Sequence, residues 1–532
     1  MGLRERVAEL ERRLAPWQAG AIVFAALLAL RAHVLADPPY WDTLMGAFPQ
    51  ALWLRNHGFD VVGLLTTQKT YVEGGPNVYP FSVYPPFVAV LYTLLGSPRA
   101  VFVVLHVLTF ACAAACAGAF FGIARRRLPA PAASVLTLAL VSAPLFQASS
   151  ATLNMDMPLA ACTALSFAAL DERKFRNAWI WALVALLVKP TAVILIGANI
   201  VLCALAWLRP RWTGLGAEAL EPAERTRARN GALAHTLLFV VFALELVVQS
   251  RCASAPAFIT PFGGFAPLFL KRLWVVPEYG LGLVFFLATL PLFAQRMFAG
   301  RARWIQVQCA VFLVAFVLFY GQYGNTLPRY FLQSYPYLFL WLALLLYGTE
   351  GATRVRTSVL AAACPFHVVN TYGTFYPSRA SGWTMPATGA ALPGNDGYIL
   401  ERSMEYRDDL ELNREIARAL ERFPRFETVL VPNWALLHLL ALPELGYVER
   451  SWTTASPDNP LDYVTNKVSY RELYDTTVSP PKLRGGQQVI WVLTPNTFQS
   501  PQTRLVPATD ELVDTVRVGK HAAFLVRRKG WE

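Results

Sequence analysis

Eleven apolar runs separated by short arginine clusters constrain this chain more than any other feature. The runs cover residues 17–36, 100–124, 132–147, 155–170, 178–188, 191–208, 232–248, 280–293, 304–320, 330–347 and 357–375. A helix of roughly 20 apolar residues crosses the hydrocarbon core of a bilayer, and shorter ones do so inside a bundle. The chain is 55% hydrophobic and only 15% charged, against about 25% charged residues in soluble domains. That much apolar surface does not fit one water-soluble core. The expected fold is a mainly α-helical polytopic membrane protein with about eleven transmembrane helices.

The arginine clusters set sidedness. Arg4, Arg6, Arg12 and Arg13 precede the first run, Arg125–Arg127 follow the second, and Arg173, Lys174 and Arg176 follow the fourth. Arg209, Arg211, Arg225, Arg227 and Arg229 follow the sixth. Arg296, Arg301 and Arg303 follow the eighth, and Arg354 and Arg356 the tenth. All fall before the first run or after an even-numbered one, so all can be cytoplasmic together, as the positive-inside rule requires. Stretch 177–208 has basic clusters on both flanks, so it crosses twice or dips and returns. Lys189-Pro190 at its middle is the natural turning point, because proline interrupts a helix. Lys189 then sits at the outer face or in a cavity. The first run reads as an uncleaved signal anchor. The expected location is a bacterial inner membrane, N-terminus cytoplasmic; abundant Ala, Leu, Arg and Pro suggest a high-GC bacterium.

Two domains are expected: a transmembrane domain over 1–375, with a long first outer loop at 37–99, and a soluble extracytoplasmic α/β domain over 376–532. Within the loop, 84–96 reads as a helix at the outer interface. In the second domain, 401–423 reads as a charged amphipathic helix, with 401–407 as a solvated face, and 429–432, 489–493 and 522–526 as buried strands. The net charge of +12 sits between apolar runs, which argues against nucleic acid as a partner. Six of the seven cysteines lie in apolar runs and none follows Cys364, so the C-terminal region has no disulfide framework. Cys112 and Cys116, one helical turn apart, read as packing residues.

Candidate site residues gather on the expected outer side. Asp42 follows Trp41 just past the first run, where the competing reading is an ordinary interfacial carboxylate. Asp156 stands at the mouth of the fourth run; an acid against an apolar helix marks function by default, whereas a helix N-cap at Asn154 or Asp156 is the competing reading. Arg329 and Tyr330 open the tenth run, where snorkelling is the alternative. Lys189, Lys69, Arg251, Lys271 and Arg272 add cations, and Tyr84 opens the interfacial helix. Two carboxylates with several cations suit sugar transfer from a lipid phosphate. Cations stabilise the departing phosphate, and a carboxylate removes the acceptor's proton. A divalent ion such as Mg²⁺ or Mn²⁺ bridging Asp42 and Asp156 is an option those oxygen ligands leave open. No glycine-rich phosphate loop is present on the cytoplasmic side.

The order of motifs resembles a known family. An aspartate follows the first span (Asp42), then come Tyr-Pro-Pro-Phe (84–87), Asn-Met-Asp-Met-Pro-Leu (154–159), Leu-Val-Lys-Pro (187–190) and Pro-Arg-Tyr-Phe-Leu-Gln-Ser-Tyr-Pro (328–336). Over about 17–347 this is similar to bacterial GT-C glycosyltransferases related to aminoarabinose transferases and protein O-mannosyltransferases. The resemblance implies Asp42 as catalytic base or acceptor-positioning group, with Asp156 as the acid of the second outer loop. It also implies Arg329 and Lys189 as phosphate contacts and a polyprenyl-phosphate-linked sugar as donor. The acceptor would be an extracytoplasmic glycan, lipid or protein. Thr43 stands where many members carry a second acid, and Tyr84 where aminoarabinose transferases carry a lysine. Two other classes remain open: a transporter or lipid flippase, and a non-catalytic envelope scaffold. The flippase reading is opposed by the lack of a second broken helix to match Lys189-Pro190.

Overall fold

In the computed structural model the described residues are 3–40, 43–67, 82–209, 221–252, 277–299, 303–322, 328–347, 353–372, 380–384, 391–393, 404–432, 434–456, 467–469, 474–475, 482–483, 488–495 and 510–528. Helices run α1 (Leu3–Arg13), α2 (Pro16–Arg31), α3 (Phe48–Asn56), α4 (Val61–Thr67), α5 (Tyr84–Leu95), α6 (Pro98–Arg127), α7 (Ala132–Ser142), α8 (Pro144–Ala151) and α9 (Asp156–Asp171). They continue with α10 (Phe175–Val188), α11 (Val193–Leu208), α12 (Pro222–Cys252), α13 (Pro277–Phe298), α14 (Trp304–Gln322), α15 (Tyr335–Tyr347) and α16 (Thr353–Tyr372).

Every one of the expected apolar runs is helical over most of its length. Among the described residues six helices are long and apolar enough to cross a membrane, or seven if the pair α7–α8 counts as one span. That pair bends by 59° at Ala143-Pro144, where proline removes a backbone donor. By length and composition the spans among the described residues are fewer than the expected eleven; α10 and the apolar part of α13 are apolar but short. The bundle is a multi-pass membrane protein. Its outer wall shows lipid-facing stripes: Leu233, Leu237, Val240 and Leu244 of α12 are exposed at helical spacing. Inside, α2 and α6 approach closely at glycines. A Cβ on Gly118 would stand 2.7 Å from the Pro16 carbonyl oxygen, and one on Gly20 would stand 2.9 Å from that of Ala114. Small residues allow such backbone contact where lipid supplies no hydrophobic drive.

The helix ends sort into two groups. At one end Arg126 and Arg127 both pair with the fully buried carboxylate of Asp171, and Arg125 donates to the Leu14 carbonyl. Trp304 Nε1 donates to the Leu170 carbonyl at 3.1 Å. Arg173 meets Glu224 at 3.3 Å, and Arg225 Nε donates to the Trp207 carbonyl at 3.0 Å. The start of α10, the end of α11 and the start of α12 therefore share this arginine-rich end. It follows that α10 and α11 go out and come back, with Lys189 at their far turn, as the flanking charges required.

The C-terminal part docks at the opposite end. Its six-stranded mixed sheet has the order β5-β4-β3-β8-β10-β9. The strands are β3 (Thr428–Pro432), β4 (Thr453–Ser456), β5 (Lys467–Ser469), β8 (Gln488–Leu493), β9 (Asp510–Val518) and β10 (His521–Arg528); β1 (Ala380–Thr384) pairs with β2 (Ala391–Pro393), and β6 (Tyr474–Asp475) with β7 (Lys482–Leu483). The three strands read from sequence are its centre. Alternation divides the two faces. Leu430, Ile490, Val492, Ala523 and Leu525 join the core shared with the membrane helices, and Val429, Val431, Trp491, Leu493, Phe524 and Val526 form a second core. Helices α17 (Tyr406–Leu420) and α18 (Trp434–Ala441) lie on the shared side.

On α18, His438 is fully buried and burial pushes its pKa down to about 3. A base held neutral in this way favours the fold above the ordinary value of 6.5. That contribution is lost as pH falls from 6.5 toward 3, by up to about 1.4 kcal/mol per pH unit. Acidification through this window should therefore loosen the C-terminal part. Hydrogen exchange of strands β3 and β4 should rise, and the rise should shrink in His438→Leu.

Candidate functional site

Three separate stretches of sequence meet around one carboxylate at the end opposite the arginines. Asn154 Oδ1 accepts the Asp156 backbone N–H at 3.0 Å, a local turn that leads into α9 and leaves the Asp156 side chain for other work. Helix α10 ends at Lys189, which is extended (φ −154°, ψ 133°), before the short 3₁₀ turn Pro190–Ala192. This break sends the Lys189 side chain to Asp156: Nζ donates to Oδ1 at 2.6 Å. The 3₁₀ turn Pro328–Ser334 brings Arg329 to the other oxygen, with Nε 3.3 Å from Oδ2. Asp156, Lys189 and Arg329 are 3%, 6% and 5% exposed. Tyr330 completes the group, with Lys189 Nζ 4.3 Å and Arg329 Cζ 5.1 Å from its ring centre, both within cation–π range.

Both oxygens of Asp156 thus face cations. The geometry gives it the task of holding Lys189 and Arg329 in place rather than removing a proton. The three groups sum to one positive charge. Buried ions survive only when paired, so the carboxylate is what lets two cations stand side by side here. A divalent ion would not fit Asp156 as built, because it would have to compete with an ammonium and a guanidinium for the same oxygens. Among the described residues no three His, Cys, Asp or Glu side chains form a metal cluster.

The far part of the first loop reaches this site. Val83 N–H donates to the Leu187 carbonyl at 2.8 Å, and Ser82 Oγ to the Val188 carbonyl at 3.2 Å. The start of α5, with Tyr84, is therefore pinned beside the Lys189 turn. Trp41, Asp42, Lys69, Lys271 and Arg272 lie outside the described residues. Arg251 stands in the last turn of α12, separate in sequence from the elements that build the cluster.

Similar chains among the solved structures include the following two. ArnT from Cupriavidus metallidurans bound to undecaprenyl phosphate has a TM-score of 0.48 and 16% identity, over 95% of this chain and 97% of that one. The same protein in the apo state gives 0.47 and 15% over the same shares. No family model and no curated protein matches the sequence.

The residues flanking Asp42 are held by a network that sequence reading missed. Asp37 is buried and bonds Arg414 Nη2 at 3.0 Å, with Arg407 Nε at 3.7 Å. Tyr40 donates to Asp409 Oδ2 at 2.9 Å, and Tyr447 to the Pro39 carbonyl at 3.0 Å. Thr43 Oγ1 donates to the Tyr40 carbonyl at 2.8 Å, so the position of the missing second acid holds a local turn. Arg55 pairs with Glu444 at 2.9 Å. Gly446 (φ +80°) turns the chain where a Cβ would stand 2.8 Å from the Phe102 ring. The expected solvated face at 401–407 is instead partly an interface: Tyr406 is 1% exposed and donates to the Ala151 carbonyl at 3.1 Å. Residues 401–403 lie outside the described residues. Asp37 beside Pro38-Pro39-Tyr40 was the available signal, since an acid at the end of an apolar run needs a partner.

Asp156→Ala leaves two buried cations without their carboxylate and should cost about 3–5 kcal/mol. Lys189→Met alone, which leaves the Arg329 contact, should cost less. The double change Asp156→Ala/Lys189→Met should be more stable than Asp156→Ala. Thermal unfolding of the detergent-solubilised protein, followed by intrinsic fluorescence, reads all three; equal losses for both single variants would count against a triad centred on Asp156.

Proposed function

We propose that this chain is an integral-membrane glycosyltransferase that moves a sugar from a polyprenyl-phosphate carrier to an acceptor on the extracytoplasmic side. The observation that carries the reading is the pair of cations, Lys189 and Arg329, held on a buried carboxylate at the end of the bundle away from the arginine clusters. By the positive-inside rule the arginine-rich end is cytoplasmic, so this end is the outer one. The order of motifs around the cluster, read above as a GT-C resemblance, points the same way.

In this mechanism Asp42 takes the proton from the acceptor hydroxyl or amine, whose oxygen or nitrogen forms a bond to the sugar's anomeric carbon. The bond from that carbon to the phosphate oxygen breaks, and the carrier leaves as polyprenyl phosphate with one more negative charge. Lys189 and Arg329 take up that charge, with Lys69 as a further cation and Tyr330 bracing both. Preplaced charges of this kind stabilise the transition state without reorganising. Asp156 is a positioning residue that keeps the cations at their spacing. The acceptor binds with Trp41 and Tyr84, the latter where the first loop returns to the Lys189 turn. A single displacement inverts the anomeric centre, and a trapped glycosyl-enzyme adduct would contradict it.

The test is transfer of labelled sugar from a polyprenyl-phosphate donor, using membranes with matched protein levels. The parent should transfer, and Asp42→Asn should lose about 100-fold or more, the usual contribution of a general base. Equal transfer by parent and variant would remove Asp42 from the mechanism. No transfer by the parent across a broad donor panel would favour a transporter.

A further inference from the structure

The bundle carries a second buried cation, in a different setting. Arg31, the last residue of α2, is 3% exposed. Among the described residues its guanidinium has one hydrogen bond, from Nη2 to Gln147 Oε1 at 2.8 Å, and it stacks 5.2 Å from the ring centre of Tyr372. It has no carboxylate partner among those residues. Asp37, six positions on, is bound to Arg414 and Arg407 instead. A guanidinium has five donors, and a buried charge without a counter-ion is costly in a membrane and marks function by default.

Arg31 lines a cavity of about 470 Å³ between α2, α7, α8 and α16. The cavity follows α2 from Leu14 through Leu27 to Arg31; its wall is mostly apolar, with Ser134 and Thr137 of α7 along it, and its charged end is at Arg31, where Gln147, Thr371 and Tyr372 complete the wall. It borders the lipid: Ile22, Leu30 and Leu138, all in its lining, are among the exposed apolar side chains. An apolar slot of this size, with one placed charge at its end, has the anatomy of a ligand site.

We infer that this groove is a binding site for a membrane phospholipid with an anionic headgroup, whose phosphate bonds Arg31 and one of whose acyl chains lies along α2. Charge decides the headgroup, since an anion supplies the counter-charge that Arg31 lacks among the described residues. Length sets the chain. The groove spans about 25 Å along α2 at 1.5 Å per residue, which suits one extended chain. Arg31, Gln147 and Tyr372 come from three helices, so the bound headgroup ties α2, α8 and α16 together. This site does not depend on the transferase reading.

The test is native mass spectrometry of the full chain released from detergent. The probes are phosphatidylglycerol, phosphatidylcholine with the same acyl chains, and polyprenyl phosphate, each with parent, Arg31→Gln and Leu138→Trp. The parent should retain one phosphatidylglycerol about tenfold more strongly than phosphatidylcholine. Arg31→Gln should erase that preference, weakening phosphatidylglycerol retention more than phosphatidylcholine retention. Leu138→Trp, which fills the groove from its lipid side, should displace both. Equal retention of the two phospholipids by the parent overturns the inference, as does a preference that survives Arg31→Gln. Displacement of phosphatidylglycerol by equimolar polyprenyl phosphate in the parent, but not in Leu138→Trp, overturns it as well, because the groove then belongs to a polyprenyl chain. If Arg31→Gln fails to fold, Leu138→Trp decides: phosphatidylglycerol retained at the parent level contradicts the site.

Discussion

Two cations cannot stand together in a low-dielectric interior unless a carboxylate stands between them, and the end of this protein away from the arginine clusters is organised by that requirement. Asp156 opens α9, Lys189 closes α10, and Arg329 sits in the turn before α15. Each of these elements starts or stops where it delivers its charge: a turn closed by Asn154 leads into α9, Pro190 follows the end of α10, and the 3₁₀ turn from Pro328 precedes α15. The breaks follow from the chemistry, since a continuous helix would carry each side chain along its flank rather than to a common point. The Ser82–Val83 hydrogen bonds to the end of α10 then bring the first loop to the same place.

The C-terminal part belongs to this arrangement. Its helix α17 holds Asp37 and Tyr40 through Arg414, Arg407 and Asp409, and Tyr447 holds Pro39. These contacts end two residues before Asp42, so the sheet domain fixes the loop that carries the proposed base. One shared core runs from the membrane helices through α17 and α18 to one face of the sheet. Movement of that domain would therefore be felt in the first loop.

How much of this was legible in the sequence follows from the range of each signal. Helix positions rest on runs of apolar residues, which are helical in the structure, and the arginines beside α6, α10 and α12 share one end of the bundle. The Lys189-Pro190 turn was legible because proline interrupts a helix locally. Asp156, Lys189, Arg329 and Tyr330 were each suspected, but that one carboxylate binds both cations is a long-range fact, joining positions 156, 189 and 329. The same holds for Asp37 with Arg407 and Arg414, and for Tyr406, which looked like part of a solvated face because its burial depends on Ala151. Strands β4, β5 and β9 escaped notice because Thr453–Ser456 is polar, Lys467–Ser469 is short, and Asp510–Val518 is strongly charged; pairing in the sheet, rather than propensity, makes them strands.

The account depends most on the outer cations reading a phosphate on a polyprenyl chain. Equilibrium binding of polyprenyl phosphate and of the uncharged polyprenol to the purified protein, with parent and Lys189→Met side by side, addresses this directly. The account predicts that the parent binds the phosphate at least about tenfold more tightly than the alcohol, a difference of about 1.4 kcal/mol, and that Lys189→Met narrows the gap by weakening the phosphate alone. Equal affinity of the parent for phosphate and alcohol would contradict it.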